Sequence, residues 1–395
     1  MRTAVVHEWL TVRAGAERVL EAILEVVPEA DVYSIVDFLP EKERDFLRGR
    51  RVTTSFVQRL PVARRHYRAY LPVMPFAVEQ FDFSAYDLVI SSSHAVANGV
   101  LTGPNQLHLS YVHTPARYAW DLQEQYLNVS GITRGIRGSL ARIILHYFRL
   151  WDLCAASRVD SYVANSQFVA ARIGKIYRRA AQVIYPPVDV DSFRVRDVKD
   201  EFYLTVARLV PYKRVDLLVE AFGKMPRRKL VVIGDGPELK RIRARAGSNV
   251  TLMGHQPFEV VRDRMERARA FLLAAEEDFG IAQLEAQACG TPVIAYGRGG
   301  ATETIVEGET GLFFLEQSAE AVVDAVERFE GSAGRFDAKT CRRNAERFRP
   351  ERFRREFRAF LDREWAAFRA KASSHAAARG VNGDAREKGD LPTQP

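Results

Sequence analysis

The chain has 395 residues, enough for two domains of ordinary size. Hydrophobic residues make up 47% and charged residues 27%, a balance typical of a soluble protein with full hydrophobic cores. Charges interrupt every apolar run before 18 residues, and no signal peptide follows Met1. The sequence therefore predicts a cytoplasmic protein without a transmembrane helix. Cys154, Cys289 and Cys341 are too scattered for a disulfide framework or a zinc site.

The net charge of +8 indicates an anionic partner, or only general solubility. Arginines are concentrated between Arg48 and Arg68, where they alternate with aromatic and aliphatic residues. Such a mixture suits an anionic membrane surface, and the alternative is a solvated basic face over a packed helix. Four of these arginines are predicted to lie on a membrane-facing side: Arg59, Arg64, Arg65 and Arg68. No recognised nucleic-acid reader module is present, so a nucleic-acid partner is not predicted.

In chain order, short β-branched segments alternate with amphipathic helical segments, which predicts βαβ units and parallel sheets. The predicted strands of the first half are 4–6, 32–35, 87–91, 107–112, 161–164 and 182–184. Those of the second half are 202–206, 229–233, 250–252, 270–273, 292–295 and 311–314. The clearest helices are predicted at 16–27, 167–176, 215–223 and 238–246.

The two halves are separated by Pro186-Pro187 and the charged run after them, because consecutive prolines continue neither a helix nor a central strand. The sequence thus predicts an α/β protein with Rossmann-like domains at 1–190 and 200–349. Helical periodicity predicts a long amphipathic helix over 350–371. The composition of residues 372–395 predicts a disordered tail.

The strongest local pattern is strand, turn and helix over residues 270–289. The unpaired amides at the start of the helix form a natural phosphate site. Glu277 in the turn and Glu285 in the helix would project at the sheet edge where doubly wound folds bind ligands. Two carboxylates beside a phosphate site suit a ligand in which sugars flank phosphates. The alternative is that both are acidic residues favoured by the helix dipole.

Basic and glycine-rich turns follow two other strands of the second half. Arg208 and Lys213 flank a turn at the same sheet edge and are suited to phosphate, or are two solvated cations. Gly234-x-Gly236 lacks the third glycine of a dinucleotide fingerprint, which argues against a nicotinamide oxidoreductase and favours a glycine turn entering a helix.

Three further segments are ambiguous from spacing alone. His113 follows a strand and either faces the cleft or makes a structural hydrogen bond. Gly15, in the first strand–helix connection, either lets the backbone approach a phosphate or begins the helix. Asp189-Val190-Asp191 mimics a metal-binding D-x-D motif, but it lies in the proline-rich segment without a third ligand. We therefore interpret it as a linker.

Taken together, these segments resemble the GT-B glycosyltransferases of family 4, a retaining group that includes many bacterial mannosyltransferases. The resemblance covers about residues 1–370, and its most specific motif is Glu277-x7-Glu285 in the form E-x-F-G-x-x-x-x-E-A. The supporting motifs, in order, are Gly15-Ala16-Glu17, His113, Ala164-Asn165-Ser166, Pro187-Val188-Asp189, Ala207-Arg208-Leu209 with Lys213, Gly234-Asp235-Gly236-Pro237 and Gly290-Thr291-Pro292. It implies two Rossmann-like domains facing a central cleft, with the C-terminal helix crossing back to the N-terminal domain.

The resemblance also implies roles for individual residues. Glu277 would contact the transferred sugar, and His113 would lie near its reacting carbon. Glu285 would hold the nucleotide ribose. The full donor-binding set would be Gly15, Arg208, Lys213, Phe279, Gly280, Ile281 and Glu285, with the base near Gly254, His255 and Gln256. Ala14 stands where family members often have glycine, and we expect little loss from this departure.

The segment from His113 to Asp121 looks like that of mannosyltransferases in O-antigen and exopolysaccharide assembly. This resemblance implies GDP-mannose as donor, a polyprenyl-diphosphate-linked saccharide as acceptor, and peripheral contact with the inner face of the cell membrane. The N-terminal domain would then bind the acceptor and the C-terminal domain the nucleotide sugar. No cofactor or obligatory metal is predicted. The alternatives are a UDP-sugar donor, or a nucleotide-sugar-binding protein of the same fold without catalysis.

Overall fold

The computed structural model describes residues 1–384, without the side chains of residues 333 and 375–384. The N-terminal domain is built on a seven-stranded parallel sheet, whose strands are β1 (Thr3–Leu10), β2 (Asp31–Asp37), β3 (Val52–Thr54), β4 (Leu88–Ser93), β5 (Leu107–Val112), β6 (Ser161–Ala164) and β7 (Ala181–Val183). Their spatial order is β3-β2-β1-β4-β5-β6-β7. The helices of this domain are α1 (Gly15–Val26), α2 (Ala63–His66), α3 (Met74–Glu79), α4 (Gln123–Val129), α5 (Gly135–Ala156) and α6 (Gln167–Tyr177).

The C-terminal domain is built on a six-stranded parallel sheet in the order β10-β9-β8-β11-β12-β13. Its strands are β8 (Phe202–Val206), β9 (Lys229–Ile233), β10 (Val250–Gly254), β11 (Ala270–Leu273), β12 (Val293–Tyr296) and β13 (Gly311–Phe314). Its helices are α7 (Val215–Gly223), α8 (Leu239–Arg245), α9 (Phe258–Arg267), α10 (Ile281–Ala288), α11 (Ala301–Thr304), α12 (Ala319–Gly331) and α13 (Ala338–Glu346). The predicted class, two parallel α/β domains of Rossmann type, is confirmed.

The last helix, α14 (Pro350–Asp384), returns to the N-terminal domain. Phe353, Phe357, Phe360 and Leu361 are buried in the same core as α1 and β5. The chain therefore passes between the domains twice. The two crossings lie side by side, because the Val188 amide donates to the Phe348 carbonyl at 2.8 Å.

The sequence predictions and the structure differ most at three places. Strand β1 continues to Leu10, beyond the predicted end at residue 6, because its polar side chains His7 and Glu8 are buried with partners. Strand β3 was missed because three residues are too short for a periodic signal. Helix α14 runs to Asp384, so residues 372–384 are helical and do not form the disordered tail that the composition predicted. The helix can extend this far because each residue added to an existing helix gains one backbone hydrogen bond. The rest of that predicted tail, 385–395, lies outside the described residues.

Within the part of the chain that the structure describes, no helix is both long and apolar enough to cross a bilayer.

Candidate functional site

The two domains meet where the loops after β1 and β5 face the loop after β11. Gly15, the first residue of α1, packs on Ile281 at the start of α10, and a Cβ at Gly15 would lie 2.9 Å from Ile281 Cδ1. The preceding Ala14 has an extended backbone (φ −127°, ψ −157°), which alanine adopts without strain. The structure thus accounts for alanine at this position and places Gly15 against the predicted phosphate-binding helix.

The turn between β11 and α10 is shaped by glycines. Gly280 immediately precedes α10 with φ +92°, a conformation that favours glycine. The Gly300 amide donates to the Glu277 carbonyl at 2.8 Å, and a Cβ at Gly299 would lie 2.4 Å from that oxygen. Gly299 and Gly300 thus hold the turn that carries Glu277. Sequence reasoning overlooked this pair, although consecutive glycines directly after β12 were a visible signal.

Both carboxylates of the Glu277-x7-Glu285 motif are paired with cations. Glu277 Oε1 contacts Lys213 Nζ, and Glu285 Oε1 contacts Arg18 of the N-terminal domain. Burial alone would lower the pKa of Lys213, but the neighbouring Glu277 carboxylate raises it on balance, so Lys213 stays charged. Glu277 precedes the helix and Glu285 lies beyond its first turn, so the helix dipole alone explains neither position.

Arg208 lies in an exposed loop whose backbone is fixed by the Gly234-x-Gly236 turn. The Leu209 amide donates to the Asp235 carbonyl at 2.9 Å. A Cβ at Gly234 would lie 1.9 Å from the Ala207 carbonyl oxygen, and one at Gly236 would lie 2.3 Å from the Leu209 oxygen. The two glycines are therefore required for close backbone packing beside Arg208, which agrees with the glycine-turn interpretation.

His113 ends a chain of polar side chains that runs into the N-terminal domain. Its Nε2 lies 2.8 Å from Ser92 Oγ, which lies 3.0 Å from His7 Nδ1, and His7 Nε2 lies 3.4 Å from Glu17 Oε1. We call these four residues the His113 chain. Burial lowers the pKa of His113 well below its usual value, helped by the nearby His94 and His7, so the His113 ring is neutral.

The His113 chain holds the Nε2 side of the His113 ring. Burial alone would raise the pKa of Glu17, but its hydrogen bond from His7 and that from the Ala14 amide lower it on balance, so Glu17 is ionised. The ionised Glu17 accepts from His7 Nε2–H, and the Ser92 hydroxyl bridges His7 Nδ1 and His113 Nε2. Nε2 of His113 is thereby engaged within the N-terminal domain, and Nδ1 is the ring nitrogen left for a ligand hydroxyl.

The loop after β4 is held by a buried carboxylate that sequence reasoning missed. Glu8 is fully buried and accepts hydrogen bonds of 2.7–3.0 Å from five groups: Ser93 Oγ and the amides of His94, Ala95, Val96 and Ala97. Because each donor points at the carboxylate, its charge is compensated by the backbone. Glu8 therefore fixes the path of the loop beside His113.

Two further carboxylates of the C-terminal domain bind the N-terminal domain. Asp278 lies 2.9 Å from Arg117 and 2.8 Å from Arg172. Burial raises the pKa of Asp278, and the two guanidinium groups oppose this rise. Glu303 accepts from the amides of Gln167 and Phe168 at 2.7 and 3.0 Å, at the first residues of α6.

These contacts, together with the Arg18–Glu285 ion pair, join the domains across the cleft. Aromatic stacking adds to them, because the rings of Tyr126 and Tyr212 lie 5.9 Å apart at an angle of 19°.

A largely apolar cavity of about 700 Å³ opens between the domains. Arg208, Tyr212 and Pro237 line it from the C-terminal side. The N-terminal side contributes Arg68, Arg117 and apolar side chains from the segments around α3, α4 and α5, among them Leu71, Met74, Tyr126, Ile144 and Leu145.

The remaining predicted residues lie apart from the two glutamates. His255 is exposed at the end of β10, and Gln256 donates to the Met253 carbonyl at 2.6 Å. Gly254 has φ +69°. Asp191 of the D-x-D segment is paired with Arg342 and Arg349.

The four predicted membrane-facing arginines, Arg59, Arg64, Arg65 and Arg68, are all exposed. Phe279 is buried against Tyr185 and Phe348, so its side chain supports the turn, and only its backbone remains for a ligand.

Comparison with known proteins agrees with this architecture. Residues 191–348 match the family model described as "Glycosyl transferases group 1". A GDP-mannose-dependent alpha-(1-6)-phosphatidylinositol monomannoside mannosyltransferase of Mycobacterium tuberculosis is 31% identical over 192 residues, 41% of this chain and 50% of the relative. A D-inositol 3-phosphate glycosyltransferase of Mycobacterium leprae is 27% identical over 195 residues, 43% of this chain and 45% of the relative. The matches thus span about half the length of these curated relatives.

Solved structures match over nearly the whole chain. HepE of Anabaena, in complex with UDP and glucose, superposes with a TM-score of 0.67 at 16% identity, over 92% of this chain and 100% of that one. Sucrose-phosphate synthase from Thermosynechococcus elongatus superposes with a TM-score of 0.70 at 17% identity, over 93% and 100%.

The fold is therefore that of the GT-B glycosyltransferases. Within it, the match to the group 1 glycosyl transferases lies in the C-terminal domain and the segments next to it, residues 191–348.

Proposed function

We propose that the protein is a retaining glycosyltransferase that moves a sugar, in the first place mannose from GDP-mannose, to a polyprenyl-diphosphate-linked saccharide in cell-surface polysaccharide synthesis. The observation that carries this proposal is the pairing of Glu277 with Lys213 and of Glu285 with Arg18 at the closed cleft. Two carboxylates that can accept hydrogen bonds from sugar hydroxyls lie beside cations that can bind phosphates. A nucleotide sugar, which carries both kinds of group, needs this arrangement.

In the proposed reaction, the bond between the anomeric carbon and the diphosphate breaks, and a bond to the acceptor oxygen forms on the same face. The acceptor proton passes to the leaving phosphate oxygen. Negative charge develops on that diphosphate, and Lys213, Arg208 and the first amides of α10 would stabilise it. His113 Nδ1 would accept a hydrogen bond from a sugar hydroxyl.

The acceptor would enter through the apolar cavity between the domains. Its lining of Leu71, Met74 and Ile144 suits a lipid chain, and Arg68 and Arg117 suit the diphosphate that joins lipid to saccharide. The exposed arginines Arg59, Arg64 and Arg65 would lie toward an anionic membrane surface.

GDP-mannose is supported by the relative in Mycobacterium tuberculosis, which is a GDP-mannose-dependent mannosyltransferase. A UDP-sugar donor is a second candidate, favoured by the UDP and glucose complex of HepE, which has the same fold. No metal is included in this proposal, because Arg208, Lys213 and the first amides of α10 would face the diphosphate.

Nucleotide release from a panel of GDP- and UDP-sugars, with and without lipid-linked acceptors, tests the proposal. We expect release with GDP-mannose that rises when acceptor is added. Glu277→Gln should lower turnover at least 100-fold while the fold is retained. Glu276→Gln is the matched control, since it removes the adjacent carboxylate. Near-normal turnover of Glu277→Gln would refute the assignment, and nucleotide-sugar binding without release by the wild type would favour the non-catalytic alternative.

A further inference from the structure

Helix α5 presents an apolar face to solvent. Ile136, Leu140, Ile143, Tyr147 and Leu150 are 89, 55, 53, 66 and 48% exposed. Their spacing of three or four residues places all five within an arc of about 80° at 100° per residue. We call these five residues the α5 face. Scattered exposed apolar residues need no explanation, but a continuous row along a 22-residue helix indicates a contact surface.

The charges around the α5 face are suited to an anionic partner. Asp152 is the one acidic residue within α5, and it is fully buried, where it accepts from Trp120 Nε1 at 2.8 Å. Burial raises the pKa of Asp152 to about 7. The exposed positions of α5 therefore carry no negative side chain, whereas Arg137 is exposed beside Ile136, and Arg134 immediately precedes the helix.

The buried side of α5 packs against the segment that carries the exposed arginines. Leu145 and Phe148 of α5 share a buried cluster with Tyr67 and Met74. At the far end of α5, Trp151 Nε1 donates to Glu79 at 2.9 Å.

On that neighbouring segment, Phe76 and Val73 are 59 and 39% exposed, and the Phe76 ring lies 5.9 Å from that of Phe56. This segment thus exposes aromatic and aliphatic side chains as well as Arg64 and Arg65.

We infer that the α5 face inserts into the interfacial layer of an anionic membrane, with the adjoining arginines contacting the lipid headgroups. A helix with one apolar face and cations beside it lies in the plane of the interface and buries its apolar side among the acyl chains. The inference rests on the proposed function in one respect, because a lipid-linked acceptor requires the cleft to reach the membrane. Ile144 and Leu145 on the other side of the same helix line the apolar cavity, so docking through α5 places the cavity directly behind the inserted helix.

The chain offers its own reporter for this contact. Cys154 is exposed and lies on the same side of α5 as Ile136, five helical turns after it. The other two cysteines, Cys289 and Cys341, are buried. A thiol-reactive, environment-sensitive fluorophore will therefore attach at Cys154. We expect its emission to shift to the blue and increase with vesicles of phosphatidylglycerol and phosphatidylcholine, and to change little with phosphatidylcholine alone.

Vesicle flotation of the unlabelled protein provides the mutational test. The double variant Leu140→Ser/Tyr147→Ser should reduce partitioning onto anionic vesicles about tenfold or more, because two inserting side chains are lost. Leu315→Ser is the matched control, since Leu315 is a comparably exposed apolar residue (74%) of the C-terminal domain, and it should leave flotation unchanged. Arg64→Gln/Arg65→Gln should weaken binding and reduce its dependence on salt.

Unchanged flotation of the Leu140→Ser/Tyr147→Ser variant would overturn the inference, and so would failure of the wild type to bind anionic vesicles. A wild-type dimer that this variant dissociates, without any vesicle binding, would instead identify α5 as an interface between two copies. Melting temperature and nucleotide release in vesicle-free solution should match the wild type. These two measurements separate loss of docking from misfolding and from failure of the proposed function.

Discussion

Arg18 on the first helix of the N-terminal domain is paired with Glu285 on α10 of the C-terminal domain. The neighbouring Glu285 carboxylate is the main cause of the raised pKa of Arg18. The two side chains are 31 and 12% exposed, so the pair is partly shielded from water. One carboxylate of the proposed donor site is therefore also a point of contact between the domains.

Arg18→Gln should open the unliganded cleft and weaken nucleotide binding about three- to tenfold. Arg18 contacts Oε1 of Glu285, so Oε2 remains to accept a hydrogen bond from a ribose hydroxyl. Loss of the ion pair lets the carboxylate rotate away from this position. A partly exposed pair contributes on the order of 1 kcal/mol. Small-angle scattering would report a larger radius of gyration, and calorimetry the dissociation constant of GDP. Arg13→Gln is the control, because its partner Glu21 lies in the same domain. Identical scattering and affinity in Arg18→Gln and wild type would contradict the prediction.

Ser92→Ala should lower kcat about tenfold with little change in the KM for donor. The substitution breaks the His113 chain, so His113 Nε2 loses its hydrogen bond to Ser92 and the neutral ring is free to change its tautomer and orientation. Ser91→Ala is the matched control, since Ser91 is equally buried on β4 but contacts His108 at 2.9 Å. Nitrogen chemical shifts of His113 would report the tautomer directly. A normal kcat with an unchanged tautomer would refute a positioning role for Ser92.

Glu8→Gln should destabilise the protein by about 3 kcal/mol, because an amide nitrogen would face backbone N–H donors that now point at a carboxylate oxygen. Urea unfolding measures this loss. Glu21→Gln, on the solvent side of α1, should change the free energy of unfolding by less than about 0.5 kcal/mol. Equal free energies of unfolding for the two variants would contradict the conclusion that the loop amides compensate the charge of Glu8.

Asp152→Asn should remove a pH dependence of stability. Burial raises the pKa of Asp152 to about 7 in the folded protein, whereas the unfolded chain ionises near the usual 3.8. Between these values the folded state holds the extra proton, so the free energy of unfolding falls as pH rises, by at most about 4 kcal/mol.

The asparagine cannot ionise, and its oxygen can still accept from Trp120. Its stability relative to the wild type should therefore improve from pH 5 to pH 7.5 in urea unfolding. Parallel pH profiles of the two proteins would show that Asp152 does not titrate in this range.

The parts of the site that the sequence predicted are those whose signal is local. The strand, turn and helix around Glu277 were predicted from one stretch of apolar periodicity and one glycine. The turn near Lys213 is indicated by a proline. Glu8 and Arg18 were missed for the opposite reason. Their partners lie 85 or more residues away in the chain, so only the assembled sheets bring them together. From its residue type alone, Glu8 is indistinguishable from any other polar residue in a strand.

Helix α14 has a consequence for the order in which the molecule is made. The core of the N-terminal domain is completed by Phe353, Phe357, Phe360 and Leu361, which are the last of its buried members to leave the ribosome. The N-terminal domain is thus synthesised before the C-terminal domain but closes only after α14 has been made, so its apolar interior stays uncovered while the C-terminal domain folds. Truncation before residue 350 should therefore yield an aggregation-prone N-terminal domain beside an intact C-terminal one.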